Sequence, residues 1–425
     1  MNTRIKSICA RQVLDCKARP MLEVDVYTEG GTLGRGAAPT GTSVGKYESF
    51  ILRDGDKSEY NGLSVHKAAK VVENTIAPKL IGMDVLAQHD IDQKMINLDG
   101  TPDKHVLGGN SIYSVSVACL RAAAASQNKH VYQYLAEEPL SAIPLPTFNV
   151  INGGRNNDIT QAFNEFILAP YHATSVEEAV AIAVAVYQKL EYVISDYMGG
   201  KKPLLGGSYG WVAPSSDPDV VLGLLSQAVA ECGYTDKVCY CLDCASSEMY
   251  DLKTDTYELK GQRVSSDELI DYVEMLTEKY KLLFVEDLLD ENDWDGFIKA
   301  HRKLKHTNLI GDDFIVTNLE RLQKAYEMDA IDGFILKPNQ VGTITESLDA
   351  NLYAQNKGLL VIPSGRSGGT VGDIVADLAL GLRLPISKNG APKSGERLDK
   401  LNSLLRASSE NPCNNMVGFS KFVRF

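Results

Sequence analysis

No apolar run in the chain approaches the ~18 residues of a membrane-spanning helix. No apolar stretch follows a basic start, so no secretory signal is expected. Basic residues are outnumbered, 43 Lys and Arg against 55 Asp and Glu, for a formal net charge of -12. That balance argues against nucleic acid and anionic membranes as partners. Low-complexity segments and short repeats are missing. Histidine is sparse, and His66, His89, His105, His130, His172, His301 and His306 all fall in helical or linker segments. None ends a strand-like run, so histidine-based acid–base or zinc chemistry is not expected. The cysteines are scattered through apolar runs and read as reduced thiols of a cytoplasmic protein. Cys239, Cys241 and Cys244 lack a second ligand pair at zinc spacing, which favours packing over metal.

What is present is the composition of an ordinary globular protein, with room in 425 residues for two domains. Residues 4–60 alternate in β fashion, and a glycine-rich loop is expected over 34–45. Residues 65–135 read as helices, most clearly 110–125, where small and apolar residues recur at helical spacing. Strands followed by helices predict an α+β domain over 1–138. Pro139, Pro144 and Pro146 mark its end. Over 139–425 β and α patterns alternate, with amphipathic helices expected at 175–196 and 265–280, while 317–328 and 344–355 fill the gaps between the later strands. The polar stretch 254–266 reads as an insertion.

Three acids end successive strand-like runs: Asp243 after Val238-Cys-Tyr-Cys-Leu, Glu286 after Leu282-Leu-Phe-Val, and Asp312 after Leu309-Ile-Gly. Lys337 ends a fourth run, Gly333-Phe-Ile-Leu. The steps from Glu286 to Asp312, Lys337 and Arg366 are 26, 25 and 29 residues, about what one βα unit of an eightfold barrel occupies. A single acid at a strand end is ordinarily just solvated. Three on consecutive units would repel one another without a cation, and their oxygens suit Mg²⁺. Lys388 ends a later short strand. Either lysine alone reads as a surface residue. Beside a cation and each other, their pKa values would fall far enough for one to act as a base. Together with the acids they suggest proton abstraction next to a carboxylate. Residues 358–370 predict a strand and a glycine-rich turn opening a helix over 371–382. With Arg366 and Ser367 this is an anion site suited to phosphate, or simply a flexible loop.

These residues resemble the enolase family nearly end to end. The blocks Ala10-Arg-Gln-Val-Leu-Asp, Leu52-Arg-Asp-Gly-Asp-Lys, Asn149-Val-Ile-Asn-Gly-Gly, Leu242-Asp-Cys-Ala-Ser-Ser-Glu, Leu336-Lys-Pro-Asn-Gln-Val-Gly-Thr and Glu396-Arg-Leu-Asp-Lys-Leu-Asn carry the likeness, in the family's order. The resemblance implies an α/β fold, an enolase-type modified eightfold β/α barrel with an N-terminal α+β capping domain, assembled as a homodimer or larger. It implies one Mg²⁺ at Asp243, Glu286 and Asp312 and a second held through Ser43 in a lid. Lys337 would take the proton alpha to the carboxylate, Lys388 would hold that carboxylate, and Arg366 with Ser367 the phosphate. Glu165 matches one of the family's two active-site glutamates.

Several positions depart from the family pattern. The second glutamate stands as Tyr209, the active-site histidine as Gly365, a loop histidine as Asn156, and the glutamine before Glu165 as Asn164. The proton-abstracting half is intact, and the altered half surrounds the departing hydroxyl. A phenol is a far weaker acid than a carboxyl group. Tyr209 for glutamate therefore predicts a diverged Mg²⁺ enzyme acting on a small phosphorylated or phosphono carboxylate, with carboxyphosphonoenolpyruvate synthesis in phosphonate pathways as the candidate. An ordinary enolase converting 2-phosphoglycerate to phosphoenolpyruvate is the alternative, and a non-catalytic metabolite-binding or scaffold homologue a third.

Overall fold

The computed structural model describes residues 2–41, 45–136, 138–154, 161–411 and 416–425. Ser43 and Asn156 therefore lie outside the described residues. The N-terminal strands Ile5–Leu14, Pro20–Thr28 and Leu33–Ala37 form an antiparallel sheet in that order. Part of the expected glycine-rich loop is thus the third strand, and its glycines have a packing reason. A Cβ on Gly34 would lie 2.0 Å from the carbonyl oxygen of Ala118, and one on Gly36 2.1 Å from that of Ser114. Only glycine lets the helix Gly109–Ser126 lie this close to the strand. Small residues on the helix do the rest, and Ser114 donates to the carbonyl of Leu22 at 3.3 Å. Val24, Val26, Val72, Ile76, Met95 and Ile112 close the core between sheet and helices.

The second core belongs to the barrel. Its strands run in the order Leu360–Pro363, Gly333–Leu336, Asn308–Gly311, Leu282–Glu286, Cys239–Asp243, Glu165–Ala169, Leu145–Asn152, Ile386–Lys388. A bridge between Ser364 and Lys388 joins the two ends and closes the ring. Glu165–Ala169 pairs antiparallel with both neighbours, and the other neighbouring strands pair in parallel. Ile167, Cys239, Cys241, Phe284, Ile310, Ile335 and Ile362 fill the interior. These cysteines pack as hydrophobes there, and burial pushes their thiols up. Phe419 and Phe422 join this cluster at the strand-start end, where Asn308 donates to the carbonyl of Phe422 at 2.7 Å.

The helices begin where side chains cap them. Ser175, Ser265, Asn318 and Thr343 each accept a backbone N–H of the first turn. The helices Val176–Tyr197, Ser266–Lys279, Leu319–Glu327 and Ile344–Asn356 match these four segments within two residues. The insertion forms a small antiparallel sheet of Tyr250–Asp251, Thr256–Leu259 and Gln262–Val264. One expectation fails: the helix after the glycine-rich turn spans Val375–Gly381 and does not begin at 371. Gly372 takes a positive φ of 77° and breaks the pattern. Among the described residues no helix is long and apolar enough to cross a membrane.

The cap domain is fastened to the barrel by buried polar bonds. Asp92 accepts from the Thr345 hydroxyl at 2.7 Å, Ser116 accepts from the N–H of Ile344 at 3.0 Å, and Lys104 pairs with Glu346 at 3.0 Å. Ala38, Tyr113, Val117 and Leu120 pack there against Ile344, Ile374 and Leu378. This joint holds the segment before residue 42 over the barrel mouth.

Candidate active site

Parallel strands present their last residues at one rim of a barrel. Asp243 and Lys388 end their strands, Glu286 ends its own, and Asp312 and Lys337 each follow theirs by one residue. Glu165 reaches the same rim because its strand is inverted: it is the first residue of Glu165–Ala169 and pairs in register with Asp243. A search for charges that end apolar runs cannot find a residue that begins one.

At the rim Lys388 is surrounded by carboxylates. Its Nζ lies 2.7 Å from Glu286, 3.0 Å from Asp243 and 3.1 Å from Glu165. Asn164 donates to Asp243 at 3.2 Å and Asn149 donates to Glu165 at 2.7 Å. Lys337 pairs with Asp312, whose other oxygen accepts from Gln340 at 2.9 Å. The backbone N–H of Lys337 is held by the Thr317 hydroxyl at 2.9 Å.

Burial sets the electrostatics. It pushes Asp243 above the usual carboxylate range and Glu286 well above it, because neighbouring acids add to the desolvation and Lys388 only partly offsets them. Desolvation would likewise raise Asp312, but Lys337 beside it outweighs burial and holds it low. Lys337 departs from expectation. Burial acts to lower its pKa, as do Arg366 and Lys388, yet Asp312 prevails and the ammonium stands above its ordinary value. Lys388 stands well above its own, the pull of Asp243, Glu165 and Glu286 exceeding the cost of burial.

The donors fit a hard cation: they are all carboxylate oxygens, all buried, and Glu286 Oε1 has no hydrogen-bond partner. Oxygens of Asp287, Asp312 and Asp313 converge within 4.8 Å of one another, a grouping absent from the sequence reading. Asp287 has another task there, since its carboxylate accepts the N–H groups of Asp312 and Asp313 at 2.8 and 2.7 Å. Burial and the charge of Asp312 push Asp287 up to about 8.

Beyond the rim, Arg366 is buried and makes a two-pronged pair with Glu48 of the cap domain, at 2.8 and 3.0 Å. Neither Glu48 nor Gln340 carried a sequence signal, because each acts through a partner hundreds or tens of residues away. Gly368 and Thr40 exchange backbone bonds at 3.0 and 3.3 Å, tying the glycine-rich turn after Arg366 to the N-terminal domain. The turn does not sit at a helix start, so the expected anion site would rest on Arg366 and the turn itself.

A cavity of about 150 Å³ opens among these groups, lined by Asn164, Glu165, Asp243, Asp312, Lys337, Gly365, Arg366, Ser367 and Lys388. Tyr209 is not in its wall. The residue takes a positive φ of 62°. Its hydroxyl donates to the carbonyl of Cys16 at 3.3 Å, and the Arg397 guanidinium lies 5.2 Å from the ring centre. Tyr209, expected among the catalytic groups, thus lies beside the wall residue Arg397 without lining the cavity itself. Lys17, Arg397 and Lys400 do line the cavity and were not singled out from sequence.

A closed α/β barrel with a lysine- and carboxylate-lined mouth, roofed by an α+β domain, is the architecture of a barrel enzyme with its site at the strand ends. Comparison with known proteins identifies the kind. The family description "Enolase, N-terminal domain" matches residues 5–135, and "Enolase, C-terminal TIM barrel domain" matches residues 140–418. The chain is 39% identical over 414 residues to the enolase of Methanococcus maripaludis strain S2, covering 97% of each chain. It is 40% identical over 410 residues to that of Methanopyrus kandleri, covering 96% of each. It is 38% identical over 419 residues to that of Methanocaldococcus jannaschii, covering 99% of this chain and 97% of the relative. The chain belongs to the enolase family and is an enzyme of that superfamily.

Proposed function

We propose that the protein interconverts 2-phosphoglycerate and phosphoenolpyruvate, or a close phosphorylated carboxylate, with Mg²⁺ as cofactor. The full-length likeness to proteins named enolase supports the substrate class. The carrying observation is the rim itself: the buried carboxylates Asp243 and Asp312 and two lysines face one cavity with Arg366, and Glu286 is buried against Lys388. In this reading Asp243, Glu286 and Asp312 would hold Mg²⁺, and Ser43 a second ion. When bound, Mg²⁺ would stabilise the charge that develops on the substrate carboxylate.

Lys337 is the base for the alpha proton. Were Asp312 to hold the cation, its pull on Lys337 would weaken, and burial with Lys388 and Arg366 nearby would favour the neutral amine. Lys388 orients the substrate carboxylate, and Arg366 with Ser367 the phosphate, as planar guanidinium forks do. Glu165 and Asn164 stand beside Asp243 at the remaining wall. The reading carries with it a division near residue 138, a homodimeric or larger assembly and a cytoplasmic setting.

A second reading has its own observation. Gly365 offers no side chain to the cavity, and Tyr209 does not line it. The half of the site that would help hydroxide leave has no acid at either position. On this reading the enolate forms but elimination is slow, and the natural reaction uses a phosphono carboxylate, as in carboxyphosphonoenolpyruvate synthesis. One experiment separates the two. Incubate the Mg²⁺-loaded protein with 2-phosphoglycerate in deuterated water and follow C2 exchange and phosphoenolpyruvate together. Elimination keeping pace with exchange supports ordinary enolase chemistry. Exchange without elimination supports the second reading, and the absence of both rejects 2-phosphoglycerate as substrate.

A further inference from the structure

The cavity wall on the Gly365 side carries cations that the proposed chemistry does not use. Lys400, on the helix Gly395–Glu410, is 3% exposed. Its Nζ donates to the carbonyl of Glu396 at 3.0 Å, and among the described residues no carboxylate lies within ion-pair distance. Lys17 reaches the same cavity from the cap domain. Its Nζ has no hydrogen-bond or ion-pair partner among the described residues, and it lies 3.9 Å from where a Cβ on Gly207 would stand. A Cβ on Gly365 would stand 3.3 Å from Lys400 Nζ, so the missing side chain leaves that ammonium open to the cavity.

The neighbouring charges do not cancel these two. Arg397 is committed to the carbonyl of Ser208 and to Glu396, the latter at 3.3 Å. Glu396 is further held by Ser394. Asp15 is paired with Arg19 at 2.9 Å. Asp373 adds an unpartnered Oδ2 3.8 Å from the same Cβ position, and Glu396 Oε1 likewise has no hydrogen-bond partner. The cations Lys17, Lys400 and Arg397 thus outnumber the carboxylates Glu396 and Asp373 on this side of the cavity. A desolvated cation without a counter-charge is costly, and an anion supplied from solution would offset that cost. Burial in fact lowers the pKa of Lys17, with Arg19 adding to the effect.

We infer that Lys17 and Lys400 form a second anion subsite, opened by Gly365, for a carboxylate, phosphonate or phosphate group beyond those that Lys388 and Arg366 hold. The inference rests on the reading of this cavity as the substrate site. The extra anion belongs either to a longer substrate, substituted on the carbon next to the enolised one, or to a second small molecule bound beside the first. In either case the subsite would set specificity for a more highly charged ligand than 2-phosphoglycerate.

The test is calorimetric titration of the Mg²⁺-loaded full chain. One arm compares 2-phosphoglycerate with 2,3-bisphosphoglycerate, which carries the extra anion on the same molecule. The other adds inorganic phosphate to protein saturated with phosphoenolpyruvate. The expected result is extra affinity in at least one arm. Lys17→Met should cut it by about tenfold more than it cuts 2-phosphoglycerate binding. Gly365→His, which keeps both lysines but fills the opening, should act in the same direction, guarding against a folding defect in the lysine variant. The inference is overturned if neither arm gains affinity, or if both variants weaken all ligands alike. If neither 2-phosphoglycerate nor phosphoenolpyruvate binds, the functional reading has failed instead. Phosphate alone then decides the subsite: about tenfold weaker binding to Lys17→Met upholds it, and equal binding rejects it.

Discussion

Lys388 touches Glu165, Asp243 and Glu286, and none of them is near it in the chain. Its role was legible only as the end of a short apolar run, because the sequence marks rim positions and not what faces them. Glu286 and Asp312 were legible for the same reason. Glu48, Gln340 and Thr317 were not, since a residue that steadies another carries no pattern of its own. The proposed base makes a direct prediction. Lys337→Ala should slow C2 exchange by about 10²–10⁴-fold, read by deuterium incorporation. Exchange that survives at the parent rate would show that another group takes the proton.

At the scale of elements, local chemistry and packing divide the work. The barrel helices follow their apolar periods because that face must cover a strand, and their starts follow capping side chains. The third N-terminal strand read as a loop because its glycines look like turn residues. They are there for the helix that crosses them. Gly36→Ala should therefore cost at least roughly 1–3 kcal/mol of stability, as overpacked sites do, measured by urea unfolding. A second element-scale prediction concerns Asp332. Burial would raise its pKa, but hydrogen bonds from His301 at 2.9 Å and Arg424 hold it below its ordinary value. It also accepts the N–H of Leu309 at 2.9 Å, tying helix, strand and C-terminus together. A depressed folded pKa contributes stability above the unfolded value, and that contribution is lost as pH falls through the folded one. Asp332→Asn should thus destabilise by about 1–3 kcal/mol at pH 7. The gap between variant and parent should close below pH ~4, followed by thermal melting across pH.

Over the whole molecule, the cap domain completes a site that the barrel begins. Glu48 secures Arg366 across the joint, and Asp92, Lys104 and Ser116 secure the joint itself. The mouth gathers buried acids, and desolvation together with their mutual repulsion raises Asp243 and Glu286. A ligand that relieves it should stabilise the fold. Mg²⁺ is expected to raise the melting temperature progressively with concentration, by about 2.7 kcal/mol of stability at a hundredfold excess over its dissociation constant. A chelator should reverse the shift and abolish C2 exchange. A melting temperature indifferent to Mg²⁺ would count against the carboxylate rim as a metal site.

The sequence by itself determined the barrel, because apolar runs of strand length separated by amphipathic helices can bury their surface in few other ways. It also determined which charges end those runs, and the full-length resemblance supplied the family. Tertiary structure decided the rest. The inverted second strand carries Glu165 to the rim, and the cap domain brings Lys17 to the cavity and Glu48 to Arg366 in its wall. Each of these depends on contacts between residues far apart in the chain, and a linear pattern records only what lies within a turn or a strand.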